Sequence, residues 1–389
     1  MRRLAFLCSI LALALTGCPS SNTGTATATA TPAPAEEPFI KVGQFVSLTG
    51  GTATFGQSTD RGVQLALTEI NAAGGVLGKP IKVLTEDTQS KPEEAKTSVL
   101  KLIKQDHVVA LIGEIASSRT LAAAPEAQRS KVPLITPGST NPEVTAKGDF
   151  IFRICFIDPV QGQVMARFAA QDLKLMKAAI LTDVKNDYSV GLAKYFKEEY
   201  VKLGGKIVAE ESYSENDKEF KAQLTSIKGK SPDILIIPGY YTEVGMIANQ
   251  SRELGMKQIM LGGDGWDSEM TAKIGGKAIE GSYYTNHYAT DDPNPVVQEF
   301  ITKYKAAYGG QTPDAMAALG YDTMRLTADA IKRAGSTDGD KLRQAIQDTK
   351  DFPGVTGSIT IDKDRNATKP ITVLKIVNGE YKLAKTIAP

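Results

Sequence analysis

The sequence predicts an α/β fold made of two similar lobes, each with a parallel-type central sheet. From Pro38 onward, short apolar runs typical of buried strands alternate with segments whose apolar residues recur at helical spacing. The pattern restarts after residues 150–156, with a strand, an aromatic-bearing loop, a helix, a Gly-Gly pair and a strand in the same order. Gly74-Gly75 ends the helix of the first unit and Gly204-Gly205 that of the second. Alternating strands and helices favour parallel sheets.

The individual elements follow from these patterns in chain order. The first series is predicted to begin with a strand over 39–48, a turn that contains Phe55 and a helix that starts near Ser58. A strand over 81–84 and a helix that begins at Pro92 follow. The series ends with strands over 108–112 and 132–136, with a helix at 122–129 between them. The second is predicted as strands over 178–182, 207–209, 234–237 and 259–261, with helices at 190–203, 220–227 and 243–254 and Tyr188 in a turn. Helices at 296–308, 315–334 and 341–349 follow, and two or three short strands between 357 and 384 complete both lobes.

Residues 108–142 (VVALIGEIASSRTLAAAPEAQRSKVPLITPGSTNP) contain the first candidate binding turns. Ser117 and Ser118 stand where a helix begins, just after an apolar strand. A helix N-terminus offers free N–H groups and about half a positive charge, which suits a carboxylate or a phosphate. If the two strands of this stretch are neighbours, both of their following turns lie at one sheet edge, where α/β proteins bind ligands.

The second turn, residues 137–142, complements the first. Pro137 and Pro142 prevent a helix or a central strand there, so carbonyl and hydroxyl groups stay free for a ligand. An anion beside a cation, as in a small zwitterion, would use both turns. A simpler explanation stays open, in which Ser117 only caps a helix and residues 137–142 only connect two elements.

Composition excludes several classes of partner and cofactor. The 389 residues include 45 basic and 44 acidic side chains, which gives a net charge of +1. We therefore expect no strongly basic surface of the kind that binds nucleic acid or an anionic membrane. His107 and His287 are isolated in the sequence and the three cysteines are scattered, so we expect no metal centre and no cofactor. Cys155 is expected to be an inert buried thiol.

The N-terminus has the pattern of an export signal. Arg2 and Arg3 precede an apolar core, residues 4–15, that is too short to span a membrane as a lasting helix. The following residues, LTGC, resemble a bacterial lipobox, which implies that Cys18 is lipidated and becomes the mature N-terminus. We therefore expect a signal peptide over 1–17 and a flexible tether over 18–37. The protein would be exported and lipid-anchored, in the periplasm or at the outer face of the cell membrane.

From Phe39 to about Leu383 the chain resembles the branched-chain amino acid binding proteins, the type I periplasmic substrate-binding components of ABC transporters. The resemblance rests on TGGTATFGQ, INAAGG, GEIASSRT, TPGSTNPE, the Tyr188 loop, PGYYTEVG and GGDGWDS, in that order. It implies two Rossmann-like lobes joined by a multi-strand hinge, with a small amino acid held between them. The expected limits are 38–157 plus 285–361 for lobe 1 and 158–284 plus 362–389 for lobe 2.

The resemblance also implies roles for single residues. Ser117 and Thr140 would bind the ligand carboxylate, and the Gly138 carbonyl, Thr140 and Asp264 would take its ammonium. Ser118 and Ser139 stand in the same two turns and are included in the candidate site. The aromatic residues expected at the cleft are Phe55, Tyr188, Tyr240 and Trp266.

Four residues depart from the pattern of the leucine/isoleucine/valine binders. Asp264 replaces a longer Glu, Phe55 replaces a Tyr, Ala116 stands where relatives often have a disulfide cysteine, and Arg119 replaces a small polar residue. Without the resemblance, Asp264 would be read as a turn former, Tyr188 and Tyr240 as half-buried tyrosines and Trp266 as a packing residue.

Other functions remain to be weighed against binding and transport. No G-x-S-x-G, complete phosphate loop or G-x-G-x-x-G occurs, so we do not expect an enzyme. The same fold can also serve a sensor that signals to a membrane receptor, or a binder of an amide or an aromatic acid. As a transport protein, the chain is expected to be a monomer that meets permease subunits.

Overall fold

The computed structural model describes residues 38–387, so the predicted signal peptide, Cys18 and the tether lie outside the described residues. The first part of the described chain consists of β1 Ile40–Val46, α1 Ala53–Ala72, β2 Ile81–Asp87, α2 Pro92–Lys104, β3 Ala110–Gly113, α3 Ser117–Arg129, β4 Leu134–Thr136 and β5 Ile151–Arg153. These five strands form one parallel sheet in the order β2-β1-β3-β4-β5. Apart from the half-buried edge strand β2, its strands are buried, as expected for a parallel sheet covered by helices.

The middle of the chain builds the second sheet. It consists of α4 Asp158–Arg167, β6 Lys177–Asp183, α5 Asp187–Lys202, β7 Lys206–Tyr213, α6 Lys221–Gly229, β8 Ile234–Ile236, α7 Tyr241–Glu253, β9 Ile259–Gly262, α8 Glu269–Gly275 and β10 Tyr283–Asn286. A π-helical turn, Phe168–Asp172, extends α4.

The last part of the chain completes the two lobes. It consists of α9 Pro295–Ala307, α10 Ala315–Ala334, α11 Gly339–Gln347, β11 Phe352–Gly354, β12 Gly357–Ile361, β13 Ala367–Thr368, β14 Ile371–Val377 and β15 Glu380–Ile387. β14 and β15 add antiparallel strands to the second sheet, whose order is β15-β14-β10-β9-β8-β6-β7. β11, β12 and β13 form a small antiparallel sheet.

Helices α1 and α10 meet at the level of their backbones. A Cβ on Gly62 would lie 1.9 Å from the carbonyl oxygen of Ala317, and one on Gly320 would lie 2.3 Å from that of Thr59. Any larger residue would therefore force the helices apart. The two helices form one unit on the first sheet.

The chain passes between the two sheets after β5, after β10 and before β14, which confirms the predicted α/β fold with two lobes and a multi-strand hinge. Two predicted lobe limits fall at paired strands. The limit between residues 284 and 285 lies within β10, which pairs with the second sheet through residue 286. The limit between residues 361 and 362 lies between β12 and β13, which pair with each other. The lobe limits themselves stay a prediction. No helix in residues 38–387 has the length and apolarity needed to cross a membrane.

Several element boundaries were predicted wrongly. α1 begins at Ala53 and α5 at Asp187, so Phe55 and Tyr188 lie in the first turn of a helix rather than in a loop. Burial of both rings outweighs the weak helix propensity of the residues around them. Helix α4 was missed, although Asp158-Pro159 is an ordinary helix start. Four strands, rather than two or three, lie between Gly357 and Ile387.

Candidate functional site

A small cavity of about 10 Å³, room for about one water molecule, lies between the two lobes. The residues around it are Phe55, Ile115, Ser117, Gly138 and Met316 from the first lobe and Tyr188, Tyr240, Asp264 and Gly265 from the second. Two larger pockets lie elsewhere: one on the outer face of α5, which is more open to solvent, and one between α1, α9 and β15, whose wall includes none of the predicted site residues.

The first cavity turn ends at the N-terminus of α3, as the sequence predicted. Ala116 precedes the helix without a side-chain cap, so the first helical N–H groups have no partner within the helix. The Ser117 hydroxyl accepts a hydrogen bond from the Asn141 N–H at 3.2 Å. The buried Glu114 carboxylate accepts the Ala116 N–H at 2.7 Å and fixes the turn. The arrangement presents an anion-binding helix end to the cavity.

The second turn is held from behind by a fully buried arginine. Arg153 donates from Nη1 to the Ser139 carbonyl at 2.5 Å and from Nη2 to the Asn141 carbonyl at 2.8 Å. Gly138 lines the cavity, but the Ser139 hydroxyl donates to the Ile115 carbonyl at 3.0 Å. The expectation that Ser139 contacts a ligand is therefore corrected: its side chain ties the two turns together.

Thr140 and Asp158 are buried beside the second turn. In the described residues, neither the Thr140 hydroxyl nor either Asp158 carboxylate oxygen has a hydrogen-bond partner. Burial raises the pKa of Asp158 to about 8, although the nearby Thr140 hydroxyl lowers this pKa by a smaller amount.

Three aromatic rings line one side of the cavity. Tyr188 and Tyr240 stack with their centroids 5.4 Å apart, and the edge of Phe55 meets Tyr240 at 5.6 Å across the lobe boundary. The Tyr188 hydroxyl accepts the Gly265 N–H at 3.1 Å, which leaves its ring face to apolar contact. These rings suit an apolar part of a ligand.

Asp264 is the acidic group of the cavity and is only 2 % exposed. Gln161 donates from Nε2 to Oδ1 at 2.9 Å, and His287 Nε2 lies 3.0 Å from Oδ2. Within residues 38–387, no lysine or arginine forms an ion pair with this carboxylate. Its negative charge is therefore available to a cationic group.

Sequence reasoning missed both partners of Asp264. Gln161 lies on the overlooked helix α4, and His287 was considered isolated. A signal for His287 was present, because it directly follows β10, and β10 is the parallel neighbour of the strand that ends before Asp264. Ile115, Gly265 and Met316 in the cavity wall were also missed.

Two further candidate residues lie away from the cavity wall. The Trp266 ring is fully buried, donates its N–H to the Ile237 carbonyl at 2.9 Å and packs against Tyr284 in the second core. Trp266 is therefore a packing residue, contrary to the expectation of ligand contact. The Ser118 hydroxyl accepts the Asp187 N–H at 3.0 Å and so bridges the lobes instead of lining the cavity.

The lobes are in contact along both sides of the cavity. Thr54 and Ser268 share a hydroxyl hydrogen bond of 2.9 Å, and the Asp267 carboxylate accepts the Ala315 N–H at 2.6 Å. Arg119 and Glu215 form an ion pair of 2.9 Å on the outer side. The structure therefore has the lobes closed over the cavity.

Two α/β lobes closed over a small cavity with an anion-binding helix end and an opposing carboxylate define a solute-binding protein. The chain belongs to the periplasmic binding protein family, whose model matches residues 39–380. It is similar to the leucine binding protein LivK of Thermotoga maritima (39 % identity, TM-score 0.87), with 90 % of this chain and 99 % of that chain covered.

A second similar structure is LivJ of Streptococcus pneumoniae, a branched-chain amino acid transporter substrate binding protein in complex with isoleucine. It is 35 % identical with a TM-score of 0.86, and covers 90 % of this chain and 100 % of its own. A third is an ABC transporter solute binding protein of Rhodopseudomonas palustris in complex with 3,4-dihydroxybenzoic acid. It is 28 % identical with a TM-score of 0.82 over 90 % of this chain and 98 % of its own.

Proposed function

We propose that this protein captures a small neutral amino acid, with a branched aliphatic side chain, and delivers it to the permease of an ABC transporter. The observation that carries the proposal is the cavity itself, in which the α3 N-terminus at Ser117 faces a lobe boundary that also presents Asp264. The similarity to a leucine binding protein and to an isoleucine complex supports the same ligand class.

A zwitterion matches both charged ends of the cavity. Its carboxylate would bind at the free N–H groups and hydroxyls of Ser117 and Thr140, and its ammonium at Asp264 and the Gly138 carbonyl. A buried charge is costly unless a partner of opposite charge or several hydrogen bonds replace its lost hydration. The aliphatic side chain would then contact the rings of Phe55, Tyr188 and Tyr240.

An aromatic acid, the ligand type of the Rhodopseudomonas palustris protein, fits this cavity less well. It has a carboxylate for the α3 N-terminus but no cation for Asp264. The Asp264 carboxylate would remain buried without a counter-charge, which costs several kcal/mol. A neutral amino acid satisfies both ends.

The ligand favours closure because it contacts both lobes at once. Ser117, Gly138 and Phe55 belong to the first lobe, whereas Tyr188, Tyr240 and Asp264 belong to the second. A ligand shifts an open-closed equilibrium by its difference in affinity for the two states. The closed monomer, anchored at the outer membrane face through lipid on Cys18, would be the form that the permease recognises.

A thermal-shift screen tests the ligand class. L-Leucine, L-isoleucine and L-valine are compared with 4-methylpentanoate, which lacks the amine, with isopentylamine, which lacks the carboxylate, and with 3,4-dihydroxybenzoate. A ligand at a hundred times its dissociation constant adds about 2.7 kcal/mol of stability, a shift of roughly 2 to 4 °C or more for a protein of this size. We expect shifts from the amino acids alone. A shift from the aromatic acid and none from the amino acids would overturn the proposal.

A further inference from the structure

His287 contacts Asp264, the residue of the proposed ammonium site. It follows β10, is 2 % exposed, and its ring stacks on Phe156 with the centroids 3.9 Å apart. Its Nε2 lies 3.0 Å from Oδ2 of Asp264, while Gln161 donates to Oδ1. Each oxygen of the carboxylate therefore has one side-chain partner, and the plane of the carboxylate is fixed.

The surroundings of the ring determine its tautomer. A carboxylate oxygen only accepts, so the Nε2 atom carries the proton that it donates to Asp264. In the described residues, the buried Nδ1 atom has no hydrogen-bond partner. A second proton on Nδ1 would be a buried donor without an acceptor, which is unfavourable. His287 is thus a neutral donor in this structure.

We propose that His287 is a positioning residue that orients Asp264 as a neutral donor and releases the ligand when it becomes protonated. This inference rests on the proposed function, because it requires a ligand ammonium at Asp264. An imidazolium at 3.0 Å would neutralise the Asp264 charge and repel the ammonium. Proton and ligand therefore compete for the same carboxylate.

The sign of the pH effect follows from the groups around the ring. Burial lowers the pKa of His287, with Asp264 opposing this and Lys369 adding to it. Ligand binding excludes the second proton, so affinity falls as pH falls through the pKa of His287, by up to roughly tenfold per pH unit. Two nearby carboxyl groups also titrate within the range of the experiment, because burial raises the pKa of Asp158 to about 8 and that of Asp267 to about 6.

The test compares wild-type protein with His287→Gln, whose amide can still donate to Asp264 but does not titrate in this range. Dissociation constants for L-leucine are measured by calorimetry from pH 7.5 to pH 4.5. With each protein compared with its own affinity at pH 7.5, we expect a loss of affinity on acidification that is several-fold smaller in the variant than in the wild type. Because Asp158 and Asp267 are present in both proteins, the difference isolates His287. His107→Gln, at the exposed second histidine, is the matched control and should follow the wild type.

Two results separate failure of this inference from failure of the proposed function. If wild-type protein binds L-leucine and its pH profile coincides with that of His287→Gln, protonation of His287 does not release the ligand and the inference fails. If wild-type protein binds none of the three branched amino acids at pH 7.5, the proposed function itself fails. Should the variant not fold, nitrogen NMR of wild-type His287 decides the matter: we expect an unprotonated Nδ1 with ligand bound, and a protonated Nδ1 in the complex would contradict the inference.

Discussion

The Arg119 guanidinium and the Glu215 carboxylate join the two lobes by an ion pair, with 2.9 Å between Nη2 and Oε1. The Arg119 side chain is 3 % exposed and also donates to the Thr52 hydroxyl at 3.0 Å. The pair lies beside the cavity rather than in its wall. We therefore expect it to stabilise the closed form without contacting the ligand.

Breaking this pair should weaken ligand binding. In a double-mutant cycle with Arg119→Met and Glu215→Gln, we expect a coupling free energy of roughly 0.5 to 3 kcal/mol in the dissociation constant for L-leucine, because the pair forms only on closure. Strictly additive effects would show that the pair does not contribute to closure. Asp340→Asn, which breaks the exposed Lys131–Asp340 pair, is the control and should leave affinity unchanged.

Removing the charge of Asp264 should have a larger effect. Asp264→Asn is expected to cost roughly 2 to 5 kcal/mol of affinity for L-leucine, because the ammonium stays buried without its charge partner. Calorimetry at pH 7.5 measures the change, and Asp364→Asn at an exposed position serves as the control. An unchanged dissociation constant would remove Asp264 from the site.

The contact between α1 and α10 predicts a strong effect on stability. Gly62→Ala places a methyl group 1.9 Å from the Ala317 carbonyl oxygen, so we expect a loss of roughly 1 to 3 kcal/mol in the free energy of unfolding. Gly229→Ala, at the end of α6 with nothing within 4 Å of the added Cβ, should be neutral or stabilising. Urea unfolding compares the two variants, and equal midpoints would contradict the close approach of the helices.

A buried carboxyl group at the start of α10 predicts a pH dependence of stability. Burial raises the pKa of Asp314 to about 7, and the nearby charge of Asp267 contributes to the rise. The native protein then holds a proton that the unfolded chain releases near pH 4, so the free energy of unfolding falls as pH rises from about 4 to 7.

Asp314→Asn should reduce this dependence, because the amide does not titrate and its oxygen can still accept the Ala317 N–H, now bonded at 2.9 Å. We expect the variant to gain about 1 to 3 kcal/mol relative to wild type between pH 5 and pH 8. The measurement is urea unfolding across this range. Asp329→Asn, on the outer face of the same helix, should follow the wild-type slope, and an unchanged slope in Asp314→Asn would disprove the prediction.

Local patterns predicted much of the fold. Ser117 at the start of α3, Gly138 in the second turn and the helix at 315–334 were identified from periodicity, capping and proline positions. The starts of α1 and α5 were wrong because burial of Phe55 and Tyr188, and not local propensity, sets those helix ends.

The contacts within the site were harder to predict. Gln161, Asp264 and His287 are separated by 103 and 23 residues, and only the adjacency of β9 and β10 brings the last two together. Trp266 had the same sequence signal as the true wall residues, a large ring at a strand end. Only its packing against Tyr284 shows that it faces the core.

The glycine contact between α1 and α10 also bears on selectivity. Phe55 lies on α1 and Met316 on α10, and both line the cavity. Since the two helices meet backbone to backbone, we expect the backbone positions that carry these side chains to stay fixed when a ligand binds. The first lobe would then act as a rigid template at the apolar end of the cavity, where one methylene is typically worth about 1 to 3 kcal/mol. Discrimination between ligands such as valine and leucine would then come from fixed shape rather than from adaptation of the wall.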